Sequence, residues 1–322
     1  PVNTIYQGKE SKSSKSIKMD GSDALKAIES AFKIEDKDDY FSKGYKMATS
    51  GDGNEGKGKY KNDTPRILTL HSSALLALLC FFNVSKKNPI TIDGTTYTKV
   101  FFEVQNDVIE KSNSHYRPSN IDIALISDDE TKILFLESKF TEYFSHNTNS
   151  ELSERYTNFF KAFNPTMDKD NFKFIHNQNT EESALNSGSP QFYLEGIKQV
   201  FCHILGIATG PKKENFSSKE KKEQADEYIK AFKKATKFEF ASIVYYDKDK
   251  FDSYEEIYSK TFGSSNESRI KAALKEVLNS KDNRRNIEIL TIRHNLLTYQ
   301  EVFKKNNPDF KMPDKVRKFY DL

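Results

Sequence analysis

A chain of 322 residues, 36% of them hydrophobic, has enough apolar material for one large domain or two small ones. Fifty Lys and Arg against forty-seven Asp and Glu leave a formal net charge of +3, so the overall charge argues little for a nucleic-acid partner and any phosphate-binding patch must be local. No stretch approaches the roughly 18 apolar residues of a membrane helix and the first residues lack the apolar core of a signal peptide, so a cytoplasmic chain with no membrane partner is expected. Cys80 and Cys202 lie in apolar, helix-like runs without zinc-ligand spacing, and both read as buried free thiols.

Residues 1–20 are rich in Lys and Ser and read as a solvated start. A short amphipathic helix is expected from Asp23 to Phe32 with Ser22 as its cap, followed by a Gly- and Lys-rich loop over 49–64. Within that loop Gly51, Gly56 and Lys57 satisfy GxxxxGK, but Gly58 stands where a phosphate-binding loop needs Ser or Thr. No hydrophobic strand precedes it and Pro65 follows where a helix should run, so no nucleotide cofactor is expected. Residues 1–64 therefore read as tail, short helix and loop ahead of a single elaborated domain over 65–322.

From Arg66 to Phe82 the density of apolar residues predicts a largely buried helix with Pro65 in its first turn. Thr96 to Val104 is strand-like, with a turn at Asp93 and Gly94 before it. Beyond a hairpin at 117–140, a helix is expected over Ser150 to Phe163, a long polar loop over 164–191, and an amphipathic helix from Phe192 to Ile207 that carries Tyr193, Gln199 and His203. His203 reads there as a satisfied helix histidine. The charged stretch Lys212 to Lys237 reads as an exposed helix, Phe238 to Tyr246 as a buried strand, Arg269 to Leu278 as a helix and Ile287 to Ile292 as a strand, with a terminal helix opening at TYQEVFKK.

The hairpin carries the chemistry. Ile121 to Ile126 and Ile133 to Lys139 alternate around a turn at Ser127 to Thr131. A turn centred on Asp129 and Glu130 pairs residues whose numbers sum to about 259, which sets Asp122 opposite Glu137. Lys139 then shares their face, while Ile121, Ile123, Leu125, Leu134 and Leu136 take the other. Two carboxylates with Cβ atoms roughly 5 Å apart repel, and a divalent cation would offset that repulsion.

Asp122, followed after a hydrophobic run by Glu137-Ser138-Lys139, resembles the D…(D/E)xK signature of the PD-(D/E)xK nuclease superfamily, with Ile121 in place of the proline before the Asp. The resemblance implies an α/β, restriction-endonuclease-like fold with an αβββαβ core, a central mixed sheet flanked by helices, and helical and loop elaborations. It implies Mg²⁺, for which Mn²⁺ substitutes, bound by Asp122, Glu137 and the main-chain carbonyl of Ser138, with Lys139 acting on the attacking water. Glu103, near the end of the preceding strand, and Gln199, on the following helix, are secondary candidates. The implied activity is cleavage of DNA by a restriction-type or defence endonuclease, and the analogy extends to a homodimer. The alternatives are a nuclease-like domain without catalysis that binds nucleic acid or serves assembly, and a repair or RNA-directed nuclease.

Overall fold

The computed structural model describes residues 21–49, 65–68, 72–107, 118–140, 158–159, 162–163, 195–211 and 219–322. Its centre is the hairpin of β3 (Ser119–Ser127) and β4 (Lys132–Lys139). The turn is built by Asp129, whose carboxylate accepts from Ser127 Oγ (2.6 Å), Thr131 N (3.0 Å) and Thr131 Oγ1 (2.8 Å). β3 pairs antiparallel on its other side with β2 (Thr95–Asn106), which pairs with the short β1 (Ile90–Ile92). The β1–β2 turn is Asp93-Gly94, both with positive φ (48° and 72°), the two-residue geometry that an Asp-Gly step favours.

On the far side β4 runs parallel to β5 (Lys237–Val244). The crossover passes through α4 (Glu195–Thr209) and α5 (Lys219–Lys234). β5 is edged by two short parallel strands, β6 (Leu290–Ile292) beside its first half and β7 (Leu297–Thr298) beside its end. The result is a mixed sheet in the order β1-β2-β3-β4-β5-β6, with β7 also on β5. β4 is buried on both faces, as its unbroken ILFL run requires of an interior strand.

Helices cover both faces. One layer comprises α4, α5, α6 (Phe251–Phe262), α7 (Ser264–Val277) and α8 (Lys281–Ile289), packed on Ile133, Phe135, Phe238 and Phe240. The other comprises α1 (Gly21–Phe32), α2 (Tyr40–Thr49), α3 (Ser73–Phe81), a π-helical turn Glu301–Asn306 and α9 (Asp314–Phe319), packed on Leu125, Leu134, Leu136 and Ile243. α1 and α2 thus belong to the same apolar cluster as the sheet.

Several sequence expectations shift. The single helix expected over Arg66–Phe82 is a 3₁₀ turn, Arg66–Leu68, and a separate α3 whose N-cap is Ser72, its Oγ accepting from Leu75 N at 3.3 Å. A serine that can bond the backbone locally starts a helix more readily than it continues one. Gly21 is already helical, so Ser22 lies within α1 rather than before it. Ile287–Ile292 is not one strand: α8, capped by Ser280 on Asn283 N, runs to Ile289 and only Leu290–Ile292 is extended. α2 and α6 were not expected, and Cys202 is half-exposed rather than buried. Of the helix expected at Ser150–Phe163, residues 158–159 and 162–163 are described and helical, with Phe159 and Phe163 packed on Phe201. The loop at 164–191, Tyr193 and all but the first residue of the loop at 49–64 lie outside the described residues.

Candidate active site

The β3–β4 ladder runs from Ile126↔Ile133 to Ile123↔Leu136, the register that the turn at Asp129 and Glu130 dictates. Continued by one step it would set Asp122 against Glu137, but the ladder ends there. Instead, Asp122 Oδ2 accepts the main-chain N–H of Ser138 at 2.7 Å, a side chain taking the place of a strand. β4 remains paired to β5 through Lys139↔Val244. The two strands therefore separate where the acidic residues sit.

The same level is irregular in β2. Between Phe102↔Ile123 and Val104↔Ile121, Glu103 faces Asp122, and Glu103 has φ +48°, a left-handed conformation rare for a residue of this type. Strict alternation breaks on both strands at this step. Phe101 and Val104 face the α4 layer while Phe102 faces the α3 layer, and Ile121 faces the α4 layer while Ile123 faces α3. Ile121 thus departs from the face expected of it, because the twist at Glu103 and Asp122 rotates the strand ends. Strain of this kind, roughly 1–3 kcal/mol, persists only where the surroundings enforce it.

Glu137 and Lys139 point to the α4 side and are 3% and 6% exposed, so a carboxylate and an ammonium are held out of water together. Lys139 Nζ lies 2.5 Å from Glu137 Oε1, and His203 Nε2, from α4, lies 2.9 Å from Glu137 Oε2. Burial alone would raise the Glu137 carboxyl, but the positive charge of Lys139 and contact with His203 outweigh it and hold it below the usual carboxylate range. Asp122 behaves oppositely. Burial, then the charges of Glu137 and Glu103, push its pKa well above the usual carboxylate value, against the opposing pull of Lys139 and the Ser138 N–H.

Ser138 turns away from this cluster. Its Oγ lies 3.1 Å from Ser73 O and 2.7 Å from Tyr299 Oη in the α3 layer, which pins the residue between Glu137 and Lys139. Gln199 lies one helical turn before His203 on the same face of α4, and its Oε1 is buried without a hydrogen-bond partner among the described residues. α4 approaches closely at two glycines. A Cβ at Gly196 would stand 2.5 Å from Tyr254 Oη and 3.7 Å from Lys139 Cε, and one at Gly206 would stand 2.6 Å from Ser119 Cβ. His203 is the site residue that sequence reasoning passed over; the available signal was its position four residues after Gln199, flanked by those glycines.

Among the described residues no three His, Cys, Asp or Glu side chains converge as a metal-holding set. A hard divalent cation such as Mg²⁺ needs only one or two carboxylates, the remainder being water or substrate oxygens. The chemistry of the site suits that demand: Asp122 is crowded by two other carboxylates, and buried Glu137 Oε2 and Gln199 Oε1 have no aligned hydrogen bond.

The architecture is thus that of a mixed α/β protein, a central sheet between two helical layers, with a buried charged cluster where two adjacent strands part. Comparison of the chain with protein-family models, with curated proteins and with solved structures finds no match.

Proposed function

We propose that this protein is a metal-dependent nuclease of the PD-(D/E)xK kind that hydrolyses phosphodiester bonds in DNA, as a restriction-type or defence endonuclease. The observation that carries the reading is the meeting of Asp122, Glu137 and Lys139 at the parting of β3 and β4. The order of elements supports it: α3, the antiparallel strands β2 to β4, a helical crossover, and β5 parallel to β4 follow the order αβββαβ, to which this chain adds the edge strand β1 and a second crossover helix, α5.

Asp122, Glu137 and the main-chain carbonyl of Ser138 would hold the cation, with Glu103 and Gln199 at its margin. A bound Mg²⁺ or Mn²⁺ supplies Lewis acidity at the scissile phosphate and lowers the pKa of a bound water. The protein's own groups do the rest. Lys139 brings a fixed positive charge and several donors, so it can hold Glu137 and also stabilise charge developing on the phosphate oxygens. Asp122, whose ionisation is resisted by burial and by the charges of Glu137 and Glu103, would be favoured as a carboxylate by a cation held beside it. A homodimer, with one such site for each strand of a duplex, belongs to the same proposal.

Asp122→Asn provides the test, because the amide oxygen still accepts the Ser138 N–H while the ligand charge is lost. Wild type is expected to nick or cut plasmid DNA only with Mg²⁺ or Mn²⁺, and the folded variant to lose about three orders of magnitude in rate. Equal cleavage by both proteins overturns the site. Salt-sensitive DNA binding by wild type without cleavage under any divalent metal overturns the enzyme in favour of a binding module.

A further inference from the structure

We propose that His203 is a positioning residue of this site: braced by Ser119, its imidazole fixes the Glu137 carboxylate across the gap where β3 and β4 separate. The catalytic consequence rests on the nuclease reading above; the structural role does not.

Past Ile123↔Leu136 no β3–β4 ladder pair ties Glu137 to β3. His203 spans that gap. Its Nδ1 lies 2.8 Å from Ser119 Oγ at the start of β3, and its Nε2 lies 2.9 Å from Glu137 Oε2 near the end of β4. Ser119 is a fixed anchor, since its backbone pairs with Asn106 of β2. Gly206, three residues beyond His203, lets the helix backbone press on this anchor. The Cβ that it lacks would stand 2.6 Å from Ser119 Cβ and 3.3 Å from Asn106 Cβ, so any other residue would lift α4 and draw the imidazole away. Phe240 of β5 backs the ring, with centroids 6.0 Å apart. The ring is thereby held from three sides, and at 6% exposed it has little water to turn toward.

The contact also assigns a proton. A carboxylate oxygen 2.9 Å from Nε2 favours the tautomer whose positive N–H lies on that side of the ring, so Nε2 carries hydrogen, and the serine hydroxyl completes the ring's bonding at Nδ1. The Nε2–H direction is not in line with Oε2, and neither atom makes an aligned hydrogen bond. A carboxylate oxygen has two lone pairs, so this oblique contact orients Glu137 while leaving capacity on Oε2 for a cation. Groups that orient a ligating carboxylate in this way set metal affinity and activity by factors of about 10–100.

The experiment uses the full chain as wild type, His203→Phe, His203→Gln and Ser119→Ala. Mn²⁺ affinity is measured by calorimetry, DNA cleavage is resolved into kcat and KM, and ¹⁵N-histidine spectra report the protonated ring nitrogen. His203→Phe is expected to weaken Mn²⁺ binding by about 10–100-fold and to lower kcat with little change in KM. His203→Gln, which restores a donor toward Glu137, should recover part of both, and Ser119→Ala should give a smaller loss in the same direction. In wild type the His203 spectrum should show hydrogen on Nε2, with a resonance that moves in Glu137→Gln.

Wild-type Mn²⁺ affinity and kcat in folded His203→Phe overturn the proposal, as does a His203 protonated on Nδ1 alone. Were His203→Phe not to fold, Ser119→Ala and the spectra decide by the same criteria. Were wild type not to cleave DNA, the nuclease reading would fail by itself, and the Glu137-dependent His203 resonance would still support or overturn the clamp.

Discussion

The β3–β4 hairpin carries acidic residues at both of its ends, and the two ends treat them in opposite ways. At the turn, Asp129 is ringed by the Ser127 hydroxyl and the Thr131 N–H and hydroxyl, which hold its carboxyl at about 2. Glu130 beside it meets Lys234 and Lys99 and is likewise held at about 2. At the open end, Asp122 is largely withdrawn from water and faces Glu137 and Glu103, so its carboxyl is driven upward. The residue types are the same, and what differs is access to water and to donors. A turn can satisfy its carboxylates locally, whereas carboxylates gathered where two strands part must look to a buried lysine, a histidine from another element or a ligand.

The largest expected contrast comes from removing one lysine at each end. Lys139→Ala leaves Glu137 buried with His203 alone and should cost about 3–5 kcal/mol. Lys234→Ala at the half-exposed turn pair should cost less than about 1 kcal/mol, because water screens it. Urea unfolding of the two variants measures both, and equal losses would erase the distinction between the ends.

A smaller effect, opposite in sign, is expected from Asp122→Asn. Because the folded pKa of Asp122 lies above its ordinary 3.8, the unfolded chain gives up this proton first, and ionisation increasingly penalises the fold as pH rises from about 3.8 toward the folded value. The neutral amide removes that penalty, so the variant should be more stable than wild type at neutral pH by about 1 kcal/mol. The gain should vanish below pH 3.8, where Asp122 is protonated in both states. Thermal unfolding across pH follows it, and destabilisation at neutral pH would place Asp122 in a different environment.

The smallest effect belongs to the turn. The folded pKa of Asp129 is depressed, so its bonds contribute fully above pH 3.8 and are lost as pH falls from 3.8 through about 2. An NMR titration should find the Asp129 carboxyl midpoint near 2, with the Thr131 amide moving in step. A midpoint at the ordinary value would mean that the turn does not hold its carboxylate.

Much of this organisation was legible in the chain. Alternation around a polar turn set the hairpin and its register, since a period of two with one turn length leaves few pairings open. Asp93-Gly94 marked its own turn. Local chemistry of this kind depends on residues close in sequence. Where two local signals competed the reading went astray, as at Ser72, whose capping divides an apolar run, and at Ile287–Ile292, whose alternation conceals a helix end.

Tertiary structure alone decided how the charged residues are used. Pairing rules predicted Asp122 opposite Glu137, but not that the ladder would stop there and Asp122 would take the Ser138 N–H. Nor could they place His203 against Glu137, because that contact joins residues 66 positions apart and depends on a helix brought close by Gly206. Periodicity says which face a side chain takes. Which distant element meets that face, and how far water is driven from it, are set by packing.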